Sequence, residues 1–287
     1  MTRPSFFKVA AIGGTAAWLA VFALLPFLLI LVVSFLARDP SSFVAPSFSL
    51  EGYAGIGDGA FLRIFLDSLA WAATTAAACL LLGYPFAYGL ARLRTKRKNL
   101  FLLLIIIPFW TNSLIRTYAL VFILKAQGLL NTALLGLGLV DQPLEILYTD
   151  TAVLVGLIYT LLPFMILPLY SSIEKLDPRL LEAAKDLGAG RFRAFFAVSL
   201  PLTWPGILAG TMLTFLPALG MFYVADVLGG AKSLLIGNFI KNQFLTARDW
   251  PTGSGASVVL TGIMILLLLF YGGSGKGAPR KPEDIGA

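Results

Sequence analysis

Residues 91–108 read ARLRTKRKNLFLLLIIIP. Arg92, Arg94, Lys96, Arg97 and Lys98 crowd into one short stretch, and an unbroken apolar run from Leu100 to Ile107 follows, ended by Pro108. A soluble protein has no use for a cationic cluster abutting a wholly apolar run. A membrane protein does: the cations stay on the cytoplasmic side while the apolar run enters lipid.

The whole chain agrees. Of its 287 residues, 58% are hydrophobic and 13% charged, and the mean hydropathy is +0.85. A typical soluble domain is nearer ~45–50% apolar and ~25% charged. So few charges cannot coat a soluble globule, which argues against a soluble enzyme. The 28 glycines and 16 prolines repeat with no fixed period, which excludes a collagen-like chain.

A helix needs about 20 apolar residues to cross a bilayer. Six windows meet that need: Val9–Leu36, Leu66–Leu90, Leu100–Leu124, Thr151–Tyr170, Trp204–Val227 and Ala256–Tyr271. The expected architecture is all-α, a polytopic membrane protein of six helices. The first window follows Arg3 and Lys8 but outruns the ~7–15 apolar residues of a signal peptide, so an uncleaved helix is expected. Residues 1–271 then form a single transmembrane domain, and 272–287 a disordered cytoplasmic tail.

With both termini inside, Arg3, Lys8, the 92–98 cluster, Lys175, Arg179, Lys185, Arg191, Arg193, Lys276, Arg280 and Lys281 are cytoplasmic. Only Arg38, Arg63, Lys125, Lys232, Lys241 and Arg248 fall outside, and Arg116 lies within a span. This asymmetry places both ends in the cytoplasm. No soluble basic face exists for nucleic acid, so no nucleic-acid partner is expected; membrane lipid is.

There is no histidine and one cysteine, Cys79. That removes histidine-based acid–base catalysis, histidine zinc sites, histidine haem ligation and an internal disulfide. Gly229–Ser233 reads GGAKS, without the spacing of a nucleotide-binding loop. Any ATPase must therefore be another chain.

The cytoplasmic segment at about 172–203 carries the most information. Asp177-Pro178 has the chemistry of a helix start, with a capping carboxylate and a proline in the first turn. Arg179–Asp186 (RLLEAAKD) is helix-forming, Gly188 ends that helix, and Gly190–Ser199 forms a second short helix stopped by Pro201. The small Ala183 and Ala184 admit close approach by a partner. Phe192, Phe195 and Phe196 bury against that partner or against the chain's own span ends. From periodicity alone, the hairpin is either a docking element or an interfacial connector.

Glu182-Ala183-Ala184, three residues, Gly188, nine residues, then Val198-Ser-Leu200-Pro201 resembles the EAA loop of bacterial ABC importer permeases. Only Val198 departs, standing where that family usually has Ile. Further stretches are similar to the membrane subunits of polyamine importers: Pro108–Tyr118, Leu162–Met165, Pro168–Glu174, Phe222–Val224, Gly229–Lys232, Leu235–Asn238, Gln243–Leu245 and Arg248–Pro251. The resemblance spans residues 8 to 271.

It implies the type I (MetI-like) permease fold and a non-catalytic subunit. It implies a homologous second permease subunit, two cytoplasmic ATPase subunits that bind ATP and Mg, and an extracytoplasmic polyamine-binding protein. No cofactor is expected in this chain. Glu182, Ala183, Ala184, Gly188, Leu200 and Pro201 carry over as the element coupled to the ATPase. The EAA loop is shared by importers of other small solutes, so an opine-like compound, an iron complex or a sulfonate is the alternative cargo.

A polyamine path calls for carboxylates and aromatic faces. Asp226, with Phe222 and Tyr223 one turn away, and Trp110 and Asn112 are the candidates; a polar interface contact and packing are the competing roles. Asp67 reads as a solvated helix terminus, and Glu145 and Asp150 as outer carboxylates that attract cations or dock the binding protein. Arg116 would repel the cargo, so a salt bridge to a neighbouring span, an anchor or a gate suits it better. Pro26, Pro85, Pro108, Pro163, Pro168 and Pro217 kink or flank spans, and Gly206 with Gly210 forms a small-xxx-small packing pair.

Overall fold

A computed structural model describes residues 6–39, 43–230 and 234–274. In chain order the helices are α1 (Phe6–Leu19), α2 (Leu25–Val33), α3 (Glu51–Ala54), α4 (Gly59–Ala91), α5 (Thr95–Ile106), α6 (Ser113–Leu124), α7 (Leu129–Gly136), α8 (Asp150–Glu174) and α9 (Pro178–Asp186). They continue with α10 (Arg191–Ala194), α11 (Leu200–Leu202), α12 (Trp204–Gly220), α13 (Phe222–Val224), α14 (Ile236–Leu245) and α15 (Trp250–Ser274). A short antiparallel pair, β1 (Leu36–Ala37) and β2 (Ala45–Phe48), is the departure from all-α among the described residues.

Among the described residues, five helical stretches are long and apolar enough to cross a membrane: Ile12–Val33, Gly59–Ala91, Ser113–Gly136, Asp150–Glu174 and Trp250–Tyr271. Arg191–Leu202 and Trp204–Gly220, bent by 66°, make a sixth if taken as one span.

Several boundaries differ from the sequence reading, each for a backbone reason. Leu100–Leu124 is not one helix. A 3-10 turn at Ile107–Trp110 breaks it where Pro108 lacks an N–H, and Asn112 starts the next helix. The fifth window stops at Gly220; Met221 breaks it, and a π-helical turn occupies Ala225–Gly229. The last helix begins at Trp250, six residues before Ala256, because Asp249 Oδ1 accepts from the Thr252 N–H at 3.1 Å. It also runs through Ser274, so the expected tail starts later; the rest of that tail, with Lys276, Arg280 and Lys281, lies outside the described residues, as do Arg3 and Lys232.

Pro201 does not end its helix. A π-turn at Phe195–Ser199, in which the Leu200 N–H reaches back five residues to the Phe195 carbonyl, precedes it, and the break falls at Thr203. A similar wide turn at Ala20–Leu24 precedes Pro26. The wider register moves carbonyls away from the proline ring, which an α-turn would force into contact.

The chain divides into two compact units. The first comprises residues 1–63 and 239–265. Here Ser34, fully buried, bonds the Tyr53 hydroxyl at 2.7 Å. Arg38 donates to the Ala247 carbonyl at 2.9 Å and lies 3.6 Å from the Asp249 carboxylate. Phe43 stacks on Trp250 with ring centres 5.4 Å apart.

The second unit comprises residues 64–238 and 266–287, and α8 is its central helix. Leu157, Leu161, Met165 and Leu169 are fully buried. Helix α12 lies against α8 at backbone distance. A Cβ on Gly206 would sit 2.4 Å from Ser172 Cβ and 2.9 Å from the Pro168 carbonyl; one on Gly210 would sit 2.7 Å from Met165 Sδ. The small-residue pair therefore sets this contact.

Gly206→Val should push the two helices apart and cost about 1–3 kcal/mol, as overpacked cores do. Thermal unfolding of the purified protein should show a lower midpoint, whereas Gly262→Ala, at a glycine with open space around it, should leave the midpoint unchanged.

Candidate coupling hairpin and substrate path

Asp177 caps α9: its Oδ1 accepts from the Arg179 N–H at 3.0 Å, and Pro178 occupies the first turn. The other end is closed by Gly188 at φ +81°. The Gly188 N–H donates to the Lys185 carbonyl at 2.8 Å, and the Ala189 N–H to the Ala184 carbonyl at 2.9 Å. This paired closure satisfies the last carbonyls and needs a left-handed residue, which glycine supplies without steric cost. The chain then re-enters helix at Arg191.

Glu182 and Ala183 are exposed and Ala184 is half-buried. Leu187 (89% exposed) and Phe192 (83%) project from the same hairpin. Phe195 turns inward instead, edge-on to Tyr84 and Tyr88 of α4 with ring centres 5.4 and 6.3 Å away. One phenylalanine thus anchors the hairpin to the chain's own span, while Phe192 and Phe196 stay exposed. Leu200 is half-buried and Pro201 exposed in the short helix beyond the π-turn.

The hairpin joins α12 at a polar contact absent from the sequence reading. The Thr203 and Tyr84 hydroxyls lie 2.9 Å apart, both buried, at the 66° bend. No local pattern marks this pair, because its members are far apart in sequence. Beside the hairpin, a cavity of about 710 Å³ is lined by Tyr88, Arg92, Lys185, Arg191 and Phe192. Arg92 stacks on Tyr88, its guanidinium carbon 4.0 Å from the ring centre.

Lys96, Arg97 and Lys98 lie in the first turns of α5 rather than in a loop, which opposes the helix dipole. Lys98 offsets this by donating to Glu174 at 2.8 Å. That hydrogen bond holds the Lys98 ammonium above its ordinary pKa.

Asp226 is half-buried on the π-turn. Asn238 Nδ2 donates both to its Oδ1 and, at 3.1 Å, to the Phe222 carbonyl. Phe222 packs edge-on to Tyr223 with ring centres 6.2 Å apart, and Asn238, which the sequence reading did not single out, links Asp226 to the Phe222 carbonyl. Trp110 is 79% exposed. Asn112 is a helix cap, its Oδ1 accepting from the Leu114 N–H at 2.8 Å. The Thr111-Asn112-Ser113 sequence is a capping signal that names this role.

Arg116 makes no salt bridge among the described residues. Its guanidinium carbon lies 6.0 Å from the Tyr159 ring centre, and its Nε is buried without a hydrogen-bond partner. Of the roles expected for it, a salt bridge is not made among the described residues, and a cation–π contact joins α6 to α8. Asp67, Glu145 and Asp150 are exposed.

The chain belongs to the family described as binding-protein-dependent transport system inner membrane component, which matches residues 80–275. Among its relatives is the spermidine/putrescine transport system permease protein PotB of Salmonella typhimurium (strain SL1344), 50% identical over 285 residues and 99% of each chain. PotB of Escherichia coli (strain K12) is 52% identical over 266 residues, covering 93% of this chain and 97% of that one. Among solved structures, a chain of a bacterial alginate ABC transporter, crystallised with its alginate pentasaccharide-bound periplasmic protein, superposes with a TM-score of 0.74. That match covers 93% of this chain and 92% of the other at 16% identity, a likeness of fold alone.

Gly188→Ala places a side chain at positive φ and should cost the hairpin about 1–2 kcal/mol. Hydrogen exchange at the Gly188 and Ala189 amides should speed up by about tenfold for each 1.4 kcal/mol lost, with Gly188→Asn intermediate between Ala and the parent.

Proposed function

We propose that this chain is a membrane permease subunit of an ATP-driven ABC importer for polyamines, spermidine or putrescine. The observation that carries the reading is 50% identity over 99% of both chains with a spermidine/putrescine permease. The EAA hairpin with its capped and closed first helix supports it. The permease pairs with a homologous PotC-like subunit. Two PotA-like ATPases bind ATP and Mg below, and a PotD-like binding protein delivers the cargo. The chain itself hydrolyses nothing and lies in the bacterial inner membrane with both termini cytoplasmic.

In this reading Glu182, Ala183, Ala184 and Gly188 form the surface gripped by the ATPase, with Leu200 and Pro201 at its base. The exposed Leu187 and Phe192 suit an apolar groove on that partner. Movement of the hairpin reaches the spans through Phe195 against α4 and through Tyr84 at Thr203. Asp226 supplies charge to a passing ammonium, and Phe222 and Tyr223 supply ring faces. Trp110, exposed at a helix break, offers another face, and Asn112 fixes that break by capping α6. Arg116 is structural, a tie between two spans.

Proteoliposomes holding the complete importer should take up labelled spermidine or putrescine when ATP and the binding protein are both present. Uptake of a sulfonate, an iron complex or an opine-like compound, with none of either polyamine, would overturn the reading. Removing Arg179–Gly188 should release the ATPase from the purified complex; retention of the ATPase would overturn the coupling role.

A further inference from the structure

The cavity beside the hairpin, about 710 Å³ in volume, takes its walls from the end of α4 and from both helices of the hairpin. Arg92, Lys185 and Arg191 line it, and among the described residues no carboxylate does. All three cations are exposed. Lys185 and Arg191 make no side-chain hydrogen bond or ion pair among the described residues. Arg92 is held in place: its Nη2 donates to the Tyr88 hydroxyl, and its guanidinium lies over that ring. A guanidinium carries five donors, so this bond leaves most of them open. Glu174 and Glu182 line an adjoining cavity of about 450 Å³ instead, and Glu174 is taken by Lys98.

Like charges gathered around one hollow repel each other, and an anion relieves that repulsion. Guanidinium forks and an ammonium together match the oxygens of a phosphate. The place of the cavity says which phosphate is at hand. Helix α4 is long and apolar enough to cross a membrane, and Tyr88 and Arg92 mark its end. On the other side, Arg191 begins the bent helix pair that runs to Gly220. Headgroups lie at the level of span ends, where aromatic side chains also gather. Phe195 and Phe196 line the same cavity, and Phe196, 61% exposed, offers an apolar face beside the cations. Basic pockets at the ends of spans suit anionic headgroups.

We propose that this cavity binds the headgroup phosphate of an anionic phospholipid, with Arg92, Lys185 and Arg191 as its three cationic contacts. A zwitterionic headgroup brings its own ammonium to the same cations and is disfavoured. Neither Glu182 nor Leu187 lines the cavity, so a bound headgroup leaves both clear. It joins the hairpin to the end of α4, where Phe195 already packs against Tyr88.

The test uses the complete importer complex, stripped of lipid in neutral detergent and titrated with phosphatidylglycerol or phosphatidylcholine while native mass spectrometry counts the bound lipid. Each cation facing an anionic lipid surface is worth about fivefold in affinity. Phosphatidylglycerol should therefore bind the parent at least about tenfold more tightly than phosphatidylcholine. Combining Arg92→Gln, Lys185→Gln and Arg191→Gln should cut that preference at least fivefold. Combining Arg94→Gln, Lys96→Gln and Arg97→Gln removes the same charge outside the cavity and should preserve it. Equal affinity of the parent for the two lipids would overturn the proposal, as would an unchanged preference in the cavity variant. So would an equal loss in both variants, the mark of general surface charge. Displacement of the phosphatidylglycerol by equimolar inorganic phosphate would overturn the lipid assignment and leave a site for free anions. If the cavity variant does not assemble, a parent-like preference in Lys185→Gln alone overturns the proposal. The outcome does not depend on which cargo the importer carries.

Discussion

Gly206 and Gly210 bring α12 to within backbone contact of Pro168, Ser172 and Met165 on α8, and the hairpin lies in the chain between the two helices joined there. Helix α8 ends at Glu174 and α12 begins at Trp204. With those ends clamped, the intervening segment has fixed attachment points. Its own shape is then set by a carboxylate cap at Asp177, a left-handed closure at Gly188 and a buried hydroxyl pair at Thr203. A hairpin closed locally and clamped at its base transmits displacement instead of absorbing it. That is the mechanical property a coupling element requires.

Helix breaks serve the same end elsewhere. Within lipid every broken backbone hydrogen bond must be replaced internally. The protein replaces them in three ways: a side-chain cap at Asn112, wide π-turns ahead of Pro26 and Pro201, and an amide bridge from Asn238 across the end of α12.

The hairpin was legible in the sequence because its determinants are local. Asp177-Pro178 and Gly188 each act on their own turn, and the EAA spacing sits between them. The membrane class was legible because it depends on composition. Span ends were less so. Apolar windows carry no mark of where the backbone breaks, so Leu100–Leu124 read as one helix although Thr111-Asn112-Ser113 already held a cap. Tyr84 with Thr203, Asn238 with Asp226, and Arg116 over Tyr159 were invisible because each joins residues brought together only by packing. The Asn112 cap was legible for the opposite reason: it acts on its own turn, where its Oδ1 accepts from the Leu114 N–H.

The central claim is that the hairpin is where an ATPase grips this chain. Cys79, the single native cysteine, is fully buried, so Glu182→Cys adds the one accessible thiol. Disulfide trapping of that thiol against cysteines lining the ATPase surface, in the assembled complex, tests the claim most directly. The account predicts rapid trapping that changes in rate when ATP is bound. Failure of position 182 to trap, while cysteines on another segment such as the 92–98 cluster do so, would contradict it.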